Sequence, residues 1–191
     1  MVCELCPRRC GALRDEIRGE GFCGMPAVPV CARAALHFWE EPCISGTTGA
    51  GTVFFSGCTL GCVFCQNRSI SRENFGKPLT GDELYQVFQR LAGQGAACIE
   101  LVTPTQFTHV LSRVLERPVP GGLPVVWNSG GYERRSVLRA LEGKVEVYLP
   151  DLKYVTPAVA QRYSGAENYP EAAKAAILEM VRQRGSVRLE D

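Results

Sequence analysis

Strand-like and helix-like segments alternate four times along residues 52–185, and that alternation constrains the fold more than any other feature. Residues 52–56 read as a first strand. Thr80-Gly81-Asp82-Glu83 has the form of a capping box. Leu84, Val87, Phe88 and Leu91 follow at i, i+3, i+4 and i+7, so a helix is predicted to about Gly93. A second strand is predicted over 98–102, then a helix carrying Phe107, Val110, Leu111 and Val114 that ends before the prolines and glycines of 118–124. A strand at 125–128, a helix around 133–141 and a strand at 145–149 follow. A short helix is expected near 157–163. Pro170 stands where a first helical residue would, ahead of an apolar face of Ala173, Ile177 and Met180 that runs to Gly185. Residues 186–189 read as the start of a fifth strand. Units of this kind imply an α/β fold whose parallel strands carry ligand sites at their carboxyl ends.

The polar motifs fall at those ends. Cys58, Cys62 and Cys65, spaced C-x3-C-x2-C, follow strand one, and Thr103-Pro104-Thr105 follows strand two. Asn128-Ser129-Gly130-Gly131 follows strand three, and Asp151-Leu152-Lys153 follows strand four. Iron–sulfur clusters are held by cysteine thiolates, and a full ferredoxin-type site uses four. Three close-set thiols leave one iron without a protein thiolate, open to a substrate or cofactor. Gly57 and Gly61 give such a loop backbone freedom and close approach.

Composition bounds the alternatives. Hydrophobic residues make up 46% and the net charge is +1, so no electrostatic case arises for nucleic acid or a membrane surface. No apolar run approaches the roughly 20 residues of a membrane span, and a cytoplasmic enzyme is the expectation. Ten cysteines raise the question of disulfides, but the chain opens with neither a basic nor an apolar leader-like stretch. Zinc is the stronger rival, because C-x2-C spacing also serves structural zinc sites. It would need a fourth ligand, and none lies close in sequence to the three.

The C-x3-C-x2-C spacing, with Phe64 before the third cysteine, resembles the signature of radical S-adenosylmethionine (SAM) enzymes. The likeness sharpens to their pyruvate formate-lyase activating enzyme-like branch through several motifs in order. These include Cys6-Pro7-Arg8-Arg9-Cys10-Gly11, Gly21-Phe22-Cys23-Gly24, His37-Phe38-Trp39-Glu40-Glu41-Pro42-Cys43, Ser56-Gly57-Cys58 and Cys65-Gln66-Asn67. They continue with Val102-Thr103-Pro104-Thr105-Gln106-Phe107, Asn128-Ser129-Gly130-Gly131-Tyr132 and Asp151-Leu152-Lys153-Tyr154.

The resemblance implies a [4Fe-4S] cluster on Cys58, Cys62 and Cys65 with SAM chelating the fourth iron. One-electron cleavage of SAM would then give a 5′-deoxyadenosyl radical that abstracts hydrogen from a substrate. It further implies an electron donor such as flavodoxin or ferredoxin and, in one version, a glycyl radical enzyme as partner. Many members hold the SAM amino group with a Gly-Gly-Glu motif after strand two. Thr103-Pro104-Thr105 stands there instead, so hydroxyl and backbone groups would have to substitute. By the same resemblance Asp151 and Lys153 are cofactor-binding candidates, with Asn128 assisting.

The implied fold is a partial (β/α) barrel of about six strands. This chain reaches four to five, so an incomplete barrel over residues 52–191 is expected, preceded by an irregular Cys-rich segment over 1–51. A non-catalytic iron–sulfur or zinc-binding module, and a radical transformation of some other small molecule or protein, stand as the alternatives.

The remaining motifs are read more plainly. Cys3, Cys6, Cys10 and Cys23 form C-x2-C-x3-C-x12-C, enough ligands for zinc or an auxiliary cluster, with free thiols equally open. Cys98 is expected to be a small buried side chain, and spacing does not decide Cys31 and Cys43. The glycine-rich run 46–52 lacks the lysine of a phosphate loop and reads as a turn. His37 has no neighbouring ligand partner in the sequence and is expected to be packed or on the surface, His109 is expected to be structural, and Glu40-Glu41 solvated.

Overall fold

The computed structural model describes residues 2–185. In chain order its elements are β1 (Val30–His37), α1 (Pro42–Ser45), β2 (Ala50–Phe55), α2 (Arg68–Ser71), β3 (Lys77–Pro78), α3 (Gly81–Gly93) and β4 (Ile99–Val102). Then come α4 (Thr108–Val114), β5 (Val125–Ser129), α5 (Arg135–Leu138), β6 (Val147–Pro150), α6 (Pro157–Ser164) and α7 (Tyr169–Arg184). The strands form one sheet in the order β3-β1-β2-β4-β5-β6. β2, β4, β5 and β6 run parallel, whereas β1 lies antiparallel to both β2 and β3. The fold is therefore α/β with a mostly parallel sheet, compatible with a partial β/α architecture.

The four predicted strands are β2, β4, β5 and β6, with ends displaced by no more than two residues. The fifth, at 186–189, lies outside the described residues. β1 falls within the stretch that reads as irregular. Only Val30 of its eight residues is buried, and the register shifts between Cys31 and Arg33, so neither face writes a period of two into the sequence.

The capping box of α3 forms as predicted. Thr80 Oγ1 accepts the Glu83 N–H at 3.2 Å, and the Glu83 carboxylate accepts the Thr80 N–H at 2.8 Å. Leu84, Phe88 and Leu91 of α3, with Leu111 and Val114 of α4 and Met180 of α7, then cover one face of the sheet. They meet Val53, Phe55, Ile99, Leu101, Val125 and Trp127. Each such fully buried side chain contributes roughly 1.5–3 kcal/mol. Because side chains alternate along a strand, the residues between these point to the other face. Thr52 registers beside Glu100, and Val102 beside Asn128. That face mixes an apolar patch of Ala50, Cys98 and Val126 with the polar residues Thr52, Glu100 and Asn128, and it positions the site. Among the described residues no helix is long and apolar enough to cross a membrane.

Candidate functional site

One cavity of ≈ 620 Å³ spans the carboxyl ends of the parallel strands. Cys58, Cys62 and Cys65 line it from the loop after β2, and Asn128, Asp151 and Lys153 line it from the ends of β5 and β6. Sequence-distant residues with separate motifs thus share a single concavity.

The loop is braced from behind. Gln106 is buried, and its Nε2 donates to the carbonyls of Ser56, Gly57 and Thr103 at 2.8–3.1 Å, joining the ends of β2 and β4. Gly57 has φ 73°, and a Cβ there would lie 2.3 Å from Met25 Cγ. At Gly61, φ 67°, it would lie 2.7 Å from Arg72 Nη1 and 3.0 Å from the Phe22 ring. Both glycines therefore admit close approach of neighbouring protein, the N-terminal segment above all, on the side away from the cavity.

The sulfurs have hydrogen-bond donors of their own. The Leu60 N–H points at Cys58 Sγ (3.4 Å) and the Ser71 hydroxyl at Cys65 Sγ (3.3 Å). Burial pushes the Cys58 thiol up, Gly61 and Leu60 N–H groups oppose that, and Cys62 and Cys65 are near enough to raise it further. Such a thiol ionises in the company of a metal.

Among the described residues no three Cys, His, Asp or Glu side chains converge on the position of one metal ion. A zinc ion needs its ligands at about 2.3 Å from one centre, whereas a cubane cluster spreads them over separate corners. Three thiols line one large cavity, and two of them, Cys58 and Cys65, have donors to sulfur, a donor set that suits a cubane cluster in kind.

At the other side of the cavity, Lys153 Nζ meets Asp151 Oδ2 at 2.6 Å. Asn128 Nδ2 donates to Glu100 Oε1 at 2.9 Å. The Tyr169 hydroxyl sits 2.8 Å from the carbonyl oxygens of Gly130 and Asp151 and accepts the Lys153 N–H at 2.8 Å, clasping the ends of β5 and β6. Of the two threonines after β4, Thr105 donates its hydroxyl to Glu133 (3.1 Å). Thr103 holds a left-handed φ of 56°, uncommon for a β-branched residue.

Two buried carboxylates had no sequence signal as site residues. Glu100 accepts from Thr52 (2.8 Å) and Asn128, and burial raises its pKa. Glu133 accepts from Trp127 Nε1 (2.6 Å), Ser129 (2.9 Å) and Thr105, and burial raises its pKa also. A glutamate inside an apolar strand marks Glu100 as unusual without saying what it binds, because its donors come from strands distant in sequence. His37 is half-buried, in keeping with expectation, whereas Glu40 is less exposed than expected. The His37 Nδ1 lies 3.0 Å from Glu40 Oε1, and both residues line the cavity, so His37 has a partner and Glu40 is more than a solvated charge.

The second set of cysteines lies elsewhere. Cys3, Cys6, Cys10 and Cys23 line a closed cavity of ≈ 10 Å³ together with Gln106, room for about one water. Burial pushes the Cys6 thiol up to about 12, with Cys23, Cys3 and Cys10 adding to the rise. None of the ten cysteines forms a disulfide. Cys98 is buried as expected, Cys31 is partly covered and Cys43 exposed.

No protein-family model matches the chain. It is 30% identical over 180 residues to an uncharacterized protein of Methanocaldococcus jannaschii, covering 90% of this chain and 51% of that one. It is 25% identical over 126 residues to the pyruvate formate-lyase 1-activating enzyme of Escherichia coli K12, covering 61% of this chain and 50% of the enzyme. The chain spans about half the length of the curated relatives it matches. The similarity to an activating enzyme is distant and partial.

Proposed function

We propose that this chain is a radical SAM protein of the activating-enzyme type, with a [4Fe-4S] cluster on Cys58, Cys62 and Cys65 and SAM beside it against Asn128, Asp151 and Lys153. The observation that carries this reading is the shared cavity: three thiols that leave one cluster iron open face polar strand ends across it. The distant similarity to pyruvate formate-lyase 1-activating enzyme supports it independently. In this reading residues 52–191 belong to a partial (β/α) barrel, to whose sheet β1 adds an antiparallel strand, and the remainder of residues 1–51 brace it.

When bound, the cluster and SAM supply one-electron cleavage of a C–S bond and a 5′-deoxyadenosyl radical that abstracts hydrogen from substrate. The chain's own residues bind and orient. Ser71 and the Leu60 N–H hold the sulfurs in place. The Asp151 carboxylate suits the amino group of SAM, and the Lys153 ammonium suits its carboxylate. Asn128, whose amide nitrogen is engaged by Glu100, offers its carbonyl oxygen. Leu60, Tyr132 and Tyr154 pack together behind the loop and keep water from that side. A flavodoxin or ferredoxin would deliver the electron, and the backbone glycine of a glycyl radical enzyme is the substrate this reading favours.

Anaerobic reconstitution tests it. The protein should take up four iron and four sulfide at the loop, change its electron paramagnetic resonance spectrum when SAM is added, and release 5′-deoxyadenosine under a strong reductant. A spectrum indifferent to SAM would favour a non-catalytic iron–sulfur module, and absence of iron would remove the reading altogether.

A further inference from the structure

Arg8 lies between the two sets of cysteines. It lines the closed cavity of Cys3, Cys6, Cys10 and Cys23, yet its guanidinium reaches the loop that follows β2. Nε donates to the Thr59 carbonyl (2.9 Å) and Nη2 to the Leu60 carbonyl (2.9 Å). The remaining bonds, to the carbonyls of Ser164 (2.7 Å) and Gly165 (2.6 Å), fix the guanidinium at the carboxyl end of α6, where the helix dipole favours a cation. Phe22 stacks on it at 3.6 Å, and Arg72 approaches the same ring at 4.7 Å.

The peptide plane turns this grip into an effect at sulfur. In a trans peptide the carbonyl and the next N–H point in opposite directions. With the Thr59 carbonyl held outward by Arg8, the Leu60 N–H faces inward, and it does lie 3.4 Å from Cys58 Sγ. With the Leu60 carbonyl held outward, the Gly61 N–H turns inward in the same way, to the side of the Cys58 thiol, whose rise in pKa it opposes. Both peptides that Arg8 pins therefore aim their N–H groups at the same sulfur. The acceptors of Arg8 are neutral carbonyls, so its charge is not cancelled by the groups that hold it.

We propose that Arg8 is a positioning residue of the thiol loop: its fork aims the Leu60 and Gly61 N–H groups at Cys58 Sγ, and its charge, with that of Arg72, favours the more negative reduced state of the cluster proposed there. Hydrogen bonds to sulfur and net charge are the levers by which a protein sets the potential of such a cluster. The potential effect rests on the cluster reading, whereas the placement of the loop does not.

Arg8→Gln removes fork and charge, and Arg8→Lys keeps the charge but cannot hold two carbonyls as a planar fork does. In metal-free protein, hydrogen exchange at the Leu60 and Gly61 amides should rise at least tenfold in both variants, with the amides of α3 unchanged. In reconstituted protein at a fixed poised potential, the reduced fraction should fall about tenfold for Arg8→Gln, which is about 59 mV for a one-electron couple, and by a smaller factor for Arg8→Lys. Parent-like exchange in both variants overturns the placement. Normal iron content with a parent-like potential in both overturns the tuning. A parent that binds no iron sinks the cluster reading, and the exchange measurement still decides the role of Arg8.

Discussion

Two cysteine sets with nearly the same spacing meet opposite fates in this molecule. Cys58, Cys62 and Cys65 sit at the rim of a ≈ 620 Å³ cavity, and Cys3, Cys6, Cys10 and Cys23 close around ≈ 10 Å³. Spacing along the chain identifies a loop able to present several sulfurs to one point. Whether there is space at that point is decided by the elements packed around the loop. The first set comes after a parallel strand whose neighbours end in polar residues, and the second lies in a segment packed down by Arg14. That buried arginine donates to the carbonyls of Met25, Pro26 and Gln106.

The contrast predicts an all-or-none result first. Cys58→Ala, Cys62→Ala or Cys65→Ala should each abolish reconstituted iron at the loop, measured by iron and sulfide analysis. Cys6→Ala should leave that iron in place. Equal loss from both sets would erase the distinction. Next in size, native Cys6 should alkylate about a thousandfold more slowly at pH 8 than it does in urea, because burial holds its thiol near 12 and the thiolate is the nucleophile. Mass spectrometry of labelled peptides gives that ratio.

On the open side, Asp151→Ala should weaken SAM about tenfold in a titration while leaving the melting temperature unchanged. The Asp151 and Lys153 pair is solvent-accessible, and exposed pairs contribute little to stability. On the closed side, His109 should do the reverse. Its Nε2 bonds to the Ala27 carbonyl at 2.9 Å, and its Nδ1 is buried without a hydrogen-bond partner among the described residues. Burial first, then Arg14, lowers its pKa from 6.5 to about 4. Between those values the unfolded chain takes a proton that the folded chain refuses, so stability falls as pH drops from 6.5 towards 4. His109→Gln should flatten that slope in thermal melts without changing SAM affinity.

Legibility tracked the range of the forces involved. α3 was readable because cap, dipole and apolar stripe all lie within one short window, β2, β4 and β5 because buried strands concentrate apolar residues, and β6 through its apolar run although it is only partly buried. β1 was not, since its stability comes from pairing with β2 across the connection that carries α1 and not from its own pattern. Cys58, Cys62 and Cys65, marked by spacing, share one cavity with Asp151 and Lys153, which only the family resemblance singled out as cofactor candidates. Arg8, Glu100 and Glu133 were silent as site residues because each owes its role to partners brought together by tertiary packing. Arg8 bonds to residues as far away as Gly165.

The antiparallel start of the sheet has a consequence for how this molecule can grow. One margin of the sheet is β3, two residues long with a lysine and a proline, the features by which proteins discourage a further strand from docking. The other margin is β6, whose Val147, Tyr148 and Leu149 extend the parallel ladder beyond β5 with no strand of the described residues on their far side. Any additional strand, from more of the same polypeptide or from another molecule, therefore has one receptive margin to join. The sheet is directional: sealed at its beginning, and extensible at its end.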